Sequence, residues 1–115
     1  MNQSIAEDRL KSFAEFRPYY VREHAHPFNR AFHFAGSTLG LVCLIGALVT
    51  GDFWFILSGP VIGYGFAWTG HFFVERNSPA TFKYPLWSLR ADWKMWSLML
   101  VGRMGPEVRR ATTHV

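Results

Sequence analysis

Residues 31–51 read AFHFAGSTLGLVCLIGALVTG and residues 53–74 read FWFILSGPVIGYGFAWTGHFFV; between Arg30 and Glu75 the only formal charge is Asp52. At 1.5 Å per helical residue, each stretch covers roughly 30 Å, the hydrocarbon thickness of a bilayer. Both are apolar nearly all round, without the one-sided stripe of a soluble surface helix. The alternative is a pair of buried helices in a soluble bundle, but few residues remain outside the two stretches to cover them. The expected architecture is therefore all-α: an integral membrane helical hairpin with two central spans, flanked by amphipathic interfacial helices. One domain over residues 1–115 accommodates it.

Composition agrees. Half of the 115 residues are hydrophobic, 17% are aromatic and only 17% are charged, against about 25% charged in an ordinary soluble domain. Eleven Phe and five Trp exclude a disordered chain. A lone cysteine, Cys43, excludes a disulfide scaffold. On so apolar a chain the net charge of +4 points to an anionic membrane surface as partner, and to no nucleic acid.

The basic residues set the orientation. Arg9, Lys11, Arg17, Arg22 and Arg30 precede the hairpin, and seven Lys and Arg follow Glu75. Thr50-Gly51-Asp52, between the spans, carries none. The positive-inside rule then places both termini in the cytoplasm and the turn on the far side. That means a bacterial inner membrane, or the endoplasmic reticulum of a eukaryote. MNQSIAEDRLK lacks an apolar core, so no cleaved signal is expected.

Ser4-Ile5-Ala6-Glu7 matches a capping box for a first helix that Pro18 should break or kink. Leu86, Leu89, Trp93, Trp96 and Leu100 form one apolar stripe, with Arg90, Lys94 and Ser97 opposite. Such a helix suits the headgroup layer or the mouth of the hairpin. The segment 109–115 reads as a loose tail. Gly36-x-x-x-Gly40 and Gly59-x-x-x-Gly63 let the two helix backbones approach closely, and Pro60 should kink the second helix.

Histidines carry the chemistry. His33 and His71 each stand nineteen residues from Asp52, so an antiparallel hairpin turning there brings both to one depth at the cytoplasmic end. Pro27 keeps His24-Ala25-His26 out of helix, and residues two apart on an extended segment point to one side. Four imidazoles, His24, His26, His33 and His71, can thus converge at one mouth as metal ligands. Ionisable groups there are functional candidates. Asn29 stands four residues before His33, and Glu75 four after His71, supplying polar partners as ligands or orienters. A single histidine at a helix end is more often an anchor; two at matched depth with two beside them weigh against that. Imidazole suits zinc, copper, iron and nickel alike. Haem held by His33 and His71, in a membrane electron carrier, is one rival reading. A non-catalytic membrane partner whose histidines only anchor it is another.

YYVREHAHPFNRAFHFAG followed by GHFFVERNSPATFKYPLWSLRADW resembles the domain-of-unknown-function family 962, over roughly residues 19–104. The patterns are H-x4-N-x3-H-x2-G (His24, Asn29, His33, Gly36) and G-H-x3-E-x3-P-A (Gly70, His71, Glu75, Pro79, Ala80). The family's characterised fungal member is an endoplasmic-reticulum Fe(II)-dependent dioxygenase of 2-hydroxy fatty acids, acting in phytosphingosine breakdown by α-oxidation. The resemblance implies a helical membrane protein in which His24, His33 and His71 bind Fe(II). His26, Glu75 or a water would be the fourth ligand, and Asn29 and Glu75 would stand in catalytic roles. It also implies a long-chain 2-hydroxy fatty acid and O2 as substrates, with CO2 and a fatty acid one carbon shorter as products.

Overall fold

The computed structural model describes residues 10–112, which are helical with no strand among them. Helix α1 spans Phe13–Arg22. Its start is a second capping motif, Ser12-x-x-Glu15: the Ser12 hydroxyl accepts from the Glu15 amide at 3.1 Å, while the Glu15 carboxylate accepts from the Lys11 amide at 3.1 Å. The Ser4–Glu7 match lies outside the described residues. Contrary to the expected break, α1 runs through Pro18. A mid-helix proline costs about 3 kcal/mol. Burial offsets it, because Phe16, Tyr20 and Val21 on this short helix are 2% exposed or less.

Helix α2 spans Pro27–Thr50, with Pro27 at its first position, where a missing amide hydrogen costs nothing. It ends at Gly51, whose φ of 73° is the left-handed cap conformation that glycine adopts freely. Asp52 then accepts from the Trp54 amide at 3.0 Å, opening helix α3, Trp54–Thr69. Pro60 lies within α3 without ending it. The rod continues as a π-helical turn over Gly70–Glu75, which stops at Arg76 in the left-handed region (φ 62°). A short 3₁₀ turn (Ala80–Phe82) leads to α4, Pro85–Leu100, and to α5, Met104–Thr112.

α2 and α3 form the antiparallel hairpin, closed at its glycines. Gly36 faces Gly63 and Gly40 faces Gly59; a Cβ on Gly36 would lie 2.7 Å from the Gly63 carbonyl oxygen. The apolar surface of the hairpin is left uncovered. Leu48 and Val49 on α2 are each 78% exposed, and Trp54 and Val61 on α3 are 70% and 73% exposed. That is the reverse of a pair of buried helices in a soluble bundle. Among the described residues one helix, α2, is long and apolar enough by itself to cross a membrane. The sixteen residues of α3 gain comparable length only with the π-helical turn.

A separate core sits at the open end of the hairpin, where α1, α4 and α5 bury Phe16, Tyr20, Tyr84, Met95 and Met104. α4 turns Ser88, Ala91 and Met95 inward, while Leu86, Leu89 and Leu100 of the apolar stripe stay exposed. Arg109–Thr112, expected to be loose, complete α5, which α1 holds through the Arg17–Glu107 ion pair at 2.6 Å.

Candidate metal centre

His24, His33 and His71 meet where this core joins the hairpin. Their rings are 1%, 6% and 1% exposed, and one ligand nitrogen from each lies within 4.8 Å of the others. His33 comes from α2 and His71 from the π-helical turn, with ring centroids 4.9 Å apart, so the equal spacing from Asp52 does bring them level. His24 comes from the irregular link between α1 and α2 and stands 4.4 Å from both rings, centroid to centroid.

The second nitrogen is hydrogen-bonded in His24 and His71. His24 Nδ1 donates to the Tyr20 carbonyl at 2.7 Å. His71 Nδ1 donates to Asn77 Oδ1 at 2.7 Å, and the Asn77 amide is oriented by donating to the Glu23 carbonyl at 3.0 Å. The left-handed cap at Arg76 folds the chain back and puts Asn77 there. His33 Nδ1 lies 3.8 Å from the Asp92 carboxylate. These contacts fix the tautomers of His24 and His71, leaving their Nε2 lone pairs directed at the common centre. His24 Nε2 and His33 Nε2 stand 3.1 Å apart, and a shared proton can satisfy that pair but not all three nitrogens.

The donor set fits a metal ion. Imidazole nitrogens about 2.1 Å from one ion stand roughly 3–4 Å from each other; the His24–His33 pair is at 3.1 Å, and all three nitrogens lie within 4.8 Å. Burial, and then the neighbouring imidazoles His33 and His71, push the His24 pKa well below its usual range, which keeps the ring neutral as a ligand must be. Beside the rings is a cavity of about 10 Å³ bordered also by Tyr64, Ser88 and Asp92. It is large enough for an ion or a single water and too small for a porphyrin.

The other expected residues stand elsewhere. His26 is exposed and caps α2, its Nδ1 accepting from the Phe28 amide at 3.1 Å. The Glu75 carboxylate accepts from the His26 amide, tying the His24 link to the π-helical turn. Asn29 is fully buried against Gly70, where a Cβ would lie 2.1 Å from its Oδ1; its amide donates towards the Glu23 carbonyl at 3.5 Å. Arg30, one of the cations flanking the mouth, donates to the carbonyls of His24 and Ala25 at 2.9 and 2.7 Å. His114 lies outside the described residues.

The sequence reading missed Asn77 and Asp92. The Asp92 carboxylate accepts from the Tyr20 hydroxyl and faces His33, and burial pushes its pKa up to about 7. A signal was available: Asp92 is the sole acid between Glu75 and Glu107, set between Arg90 and Lys94.

No curated protein and no solved structure matches the chain. A family model matches residues 10–104, which include all three converging histidines, Asn77 and Asp92. The chain belongs to that family, described as 2-hydroxy-palmitic acid dioxygenase Mpo1-like.

Proposed function

We propose that this chain is a membrane-embedded, non-haem Fe(II)-dependent dioxygenase that cleaves long-chain 2-hydroxy fatty acids between C1 and C2. The observation that carries it is the buried set of three imidazoles whose free nitrogens converge, in a chain of a family named for that activity. The stoichiometry closes without an outside reductant: a 2-hydroxy acid and O2 give CO2, water and the acid one carbon shorter.

His24, His33 and His71 are the proposed ligands; no thiolate competes, since Cys43 stands ten residues beyond His33 along α2. Iron, when bound there, supplies a centre able to chelate the carboxylate and α-hydroxyl of the substrate and to react with O2. The protein groups hold this arrangement. The Tyr20 carbonyl and Asn77 keep His24 and His71 in the required tautomer, and Glu75 fastens the His24 segment. Asp92 faces His33 across 3.8 Å and, with its pKa raised to about 7, can accept the proton of the substrate α-hydroxyl. Tyr20 donates to the same carboxylate and holds it in place.

The membrane reading rests on the uncovered apolar surface of α2 and α3 and on the basic flanks. The hairpin, including the π-helical turn, spans the bilayer with both termini in the cytoplasm, and α4 lies in the headgroup layer with Leu86, Leu89, Trp93 and Leu100 towards lipid.

Tag-free protein purified in detergent should carry about one iron per chain, show no Soret band and consume O2 with 2-hydroxypalmitate but not with palmitate. Full oxygen uptake after iron has been removed by a chelator would sink the proposal.

A further inference from the structure

A groove of about 340 Å³ starts at His33, Tyr64, Ala67 and Asp92, the four residues it shares with the borders of the histidine cavity, and runs away from them along the hairpin. Its floor is the glycine face of the α2–α3 crossing, where the lack of side chains lets the helices touch and leaves a trough above them. Ser37 and Tyr64 line it near the histidines; at the far end the lining is Leu44, Phe55 and Ile56. The Phe55 ring sits against Gly46 and closes that end, 3.5 Å from where a Cβ would stand.

We propose that this trough holds the acyl tail of the 2-hydroxy acid whose head group is at the histidines, and that Phe55 sets the longest tail it accepts. The proposal rests on the dioxygenase reading for its head group. Its own support is continuity with the candidate centre, polarity confined to one end, and length. From His33 to Leu44 is eleven helical residues, about 16 Å, or roughly a dozen extended methylenes. That is close to the tail of a palmitic-length acid once its first two carbons are at the histidines. A tail drawn from lipid gains little from leaving water, because lipid is already apolar. Selection therefore comes from fit within the trough: a tail that overruns Phe55 must bend or displace the ring.

The direct test uses a 2-hydroxypalmitate analogue with a photoreactive diazirine at its terminal carbon, irradiated on the intact protein in lipid nanodiscs. Labelling should fall on Leu44, Phe55 or Ile56 and be suppressed by unlabelled 2-hydroxypalmitate. Labelling confined to outward-facing residues such as Val42 or Val61, or labelling that the competitor does not reduce, overturns the groove. This readout needs no turnover. Competed labelling at the far end without oxygen uptake would keep the groove and remove the dioxygenase; oxygen uptake with labelling elsewhere would do the opposite. Steady-state kinetics add a second measure. Ser37→Phe fills the trough about 6 Å from His33 and should lower the kcat/KM ratio of 2-hydroxypalmitate over 2-hydroxyhexanoate at least about tenfold. Phe55→Ala should raise the ratio of 2-hydroxydocosanoate over 2-hydroxypalmitate. Unchanged ratios in both variants refute the length limit.

Discussion

His71 is fixed twice, by the backbone of the π-helical turn and by Asn77 on its Nδ1, whereas His26 caps a helix from an exposed position. The two substitutions should therefore part company. His71→Ala is expected to abolish iron binding and turnover while the protein still inserts, because insertion depends on apolar spans and their backbone bonds. His26→Ala should keep its iron and lose about 1 kcal/mol of stability with the cap. Iron per chain, measured on tag-free variants that are monodisperse in detergent, checks both. Equal loss of iron would mean that the His26 ring turns inward and a four-imidazole centre forms. Much of the site was readable at this scale: counting from Asp52 matched His33 with His71, and Pro27 kept His24 out of helix. His26 misled because alternation along an extended segment assumes that its side chain is free, and the first amide groups of α2 needed an acceptor.

Among the elements, the hairpin shows most clearly what each glycine does. A Cβ on Gly36 meets the Gly63 carbonyl oxygen at 2.7 Å and Phe66 Cβ at 2.9 Å, whereas one on Gly65 meets nothing within 4 Å. Gly36→Ala should accordingly destabilise by about 1–3 kcal/mol. Gly65→Ala should be neutral or slightly stabilising, since alanine is the better helix former. Thermal unfolding in detergent distinguishes them. α5 offers a third case. Deleting residues 104–115 removes Met104 and Ala111 from the core and leaves Arg17 without Glu107, so the unfolding midpoint should drop by several degrees. An unchanged midpoint would show that α5 is dispensable. The close approach of α2 and α3 was legible because small-xxx-small spacing has one geometric meaning. The inner face of α4 was not. An apolar stripe marks the buried side only where the surroundings are water; with Ser88, Ala91 and Met95 turned inward, Leu86, Leu89, Trp93 and Leu100 form the outer surface, and Asp92 went unnoticed on the inner side.

Taken whole, the molecule is 49 Å along its longest axis, longer than the ~30 Å core of a bilayer. One end packs aromatic residues around buried histidines, and the other presents uncovered apolar helices. The topology proposed above makes Asp52 the residue farthest from the cytoplasm. In a Cys43→Ala background, Asp52→Cys should react with a membrane-impermeant maleimide only from the non-cytoplasmic side. Reaction from the cytoplasm alone would mean that the hairpin dips in and returns. Charge distribution made the hairpin visible, because few physical settings tolerate so long an uncharged run. The packing of α1, α4 and α5 was less so, since it depends on contacts between residues far apart in the chain, such as Tyr20 with Asp92 and Arg17 with Glu107.

His24 differs from the other two proposed ligands in lying on a non-helical link, held by Arg30, Glu75 and Asn77 through hydrogen bonds to the link and to the Glu23 carbonyl just before it. An ion bridging positions 24, 33 and 71 would act as a cross-link between that link and the hairpin, restraining the chain as any bound ligand restrains the state it prefers. Without the ion, this stretch should be the first to open, and Arg22 and Arg30 bracket it as cleavage sites for trypsin. Iron supply would then govern how long the protein survives in the cell as well as whether it works: iron-starved cells would clear the chain at this link, while chains already loaded persist.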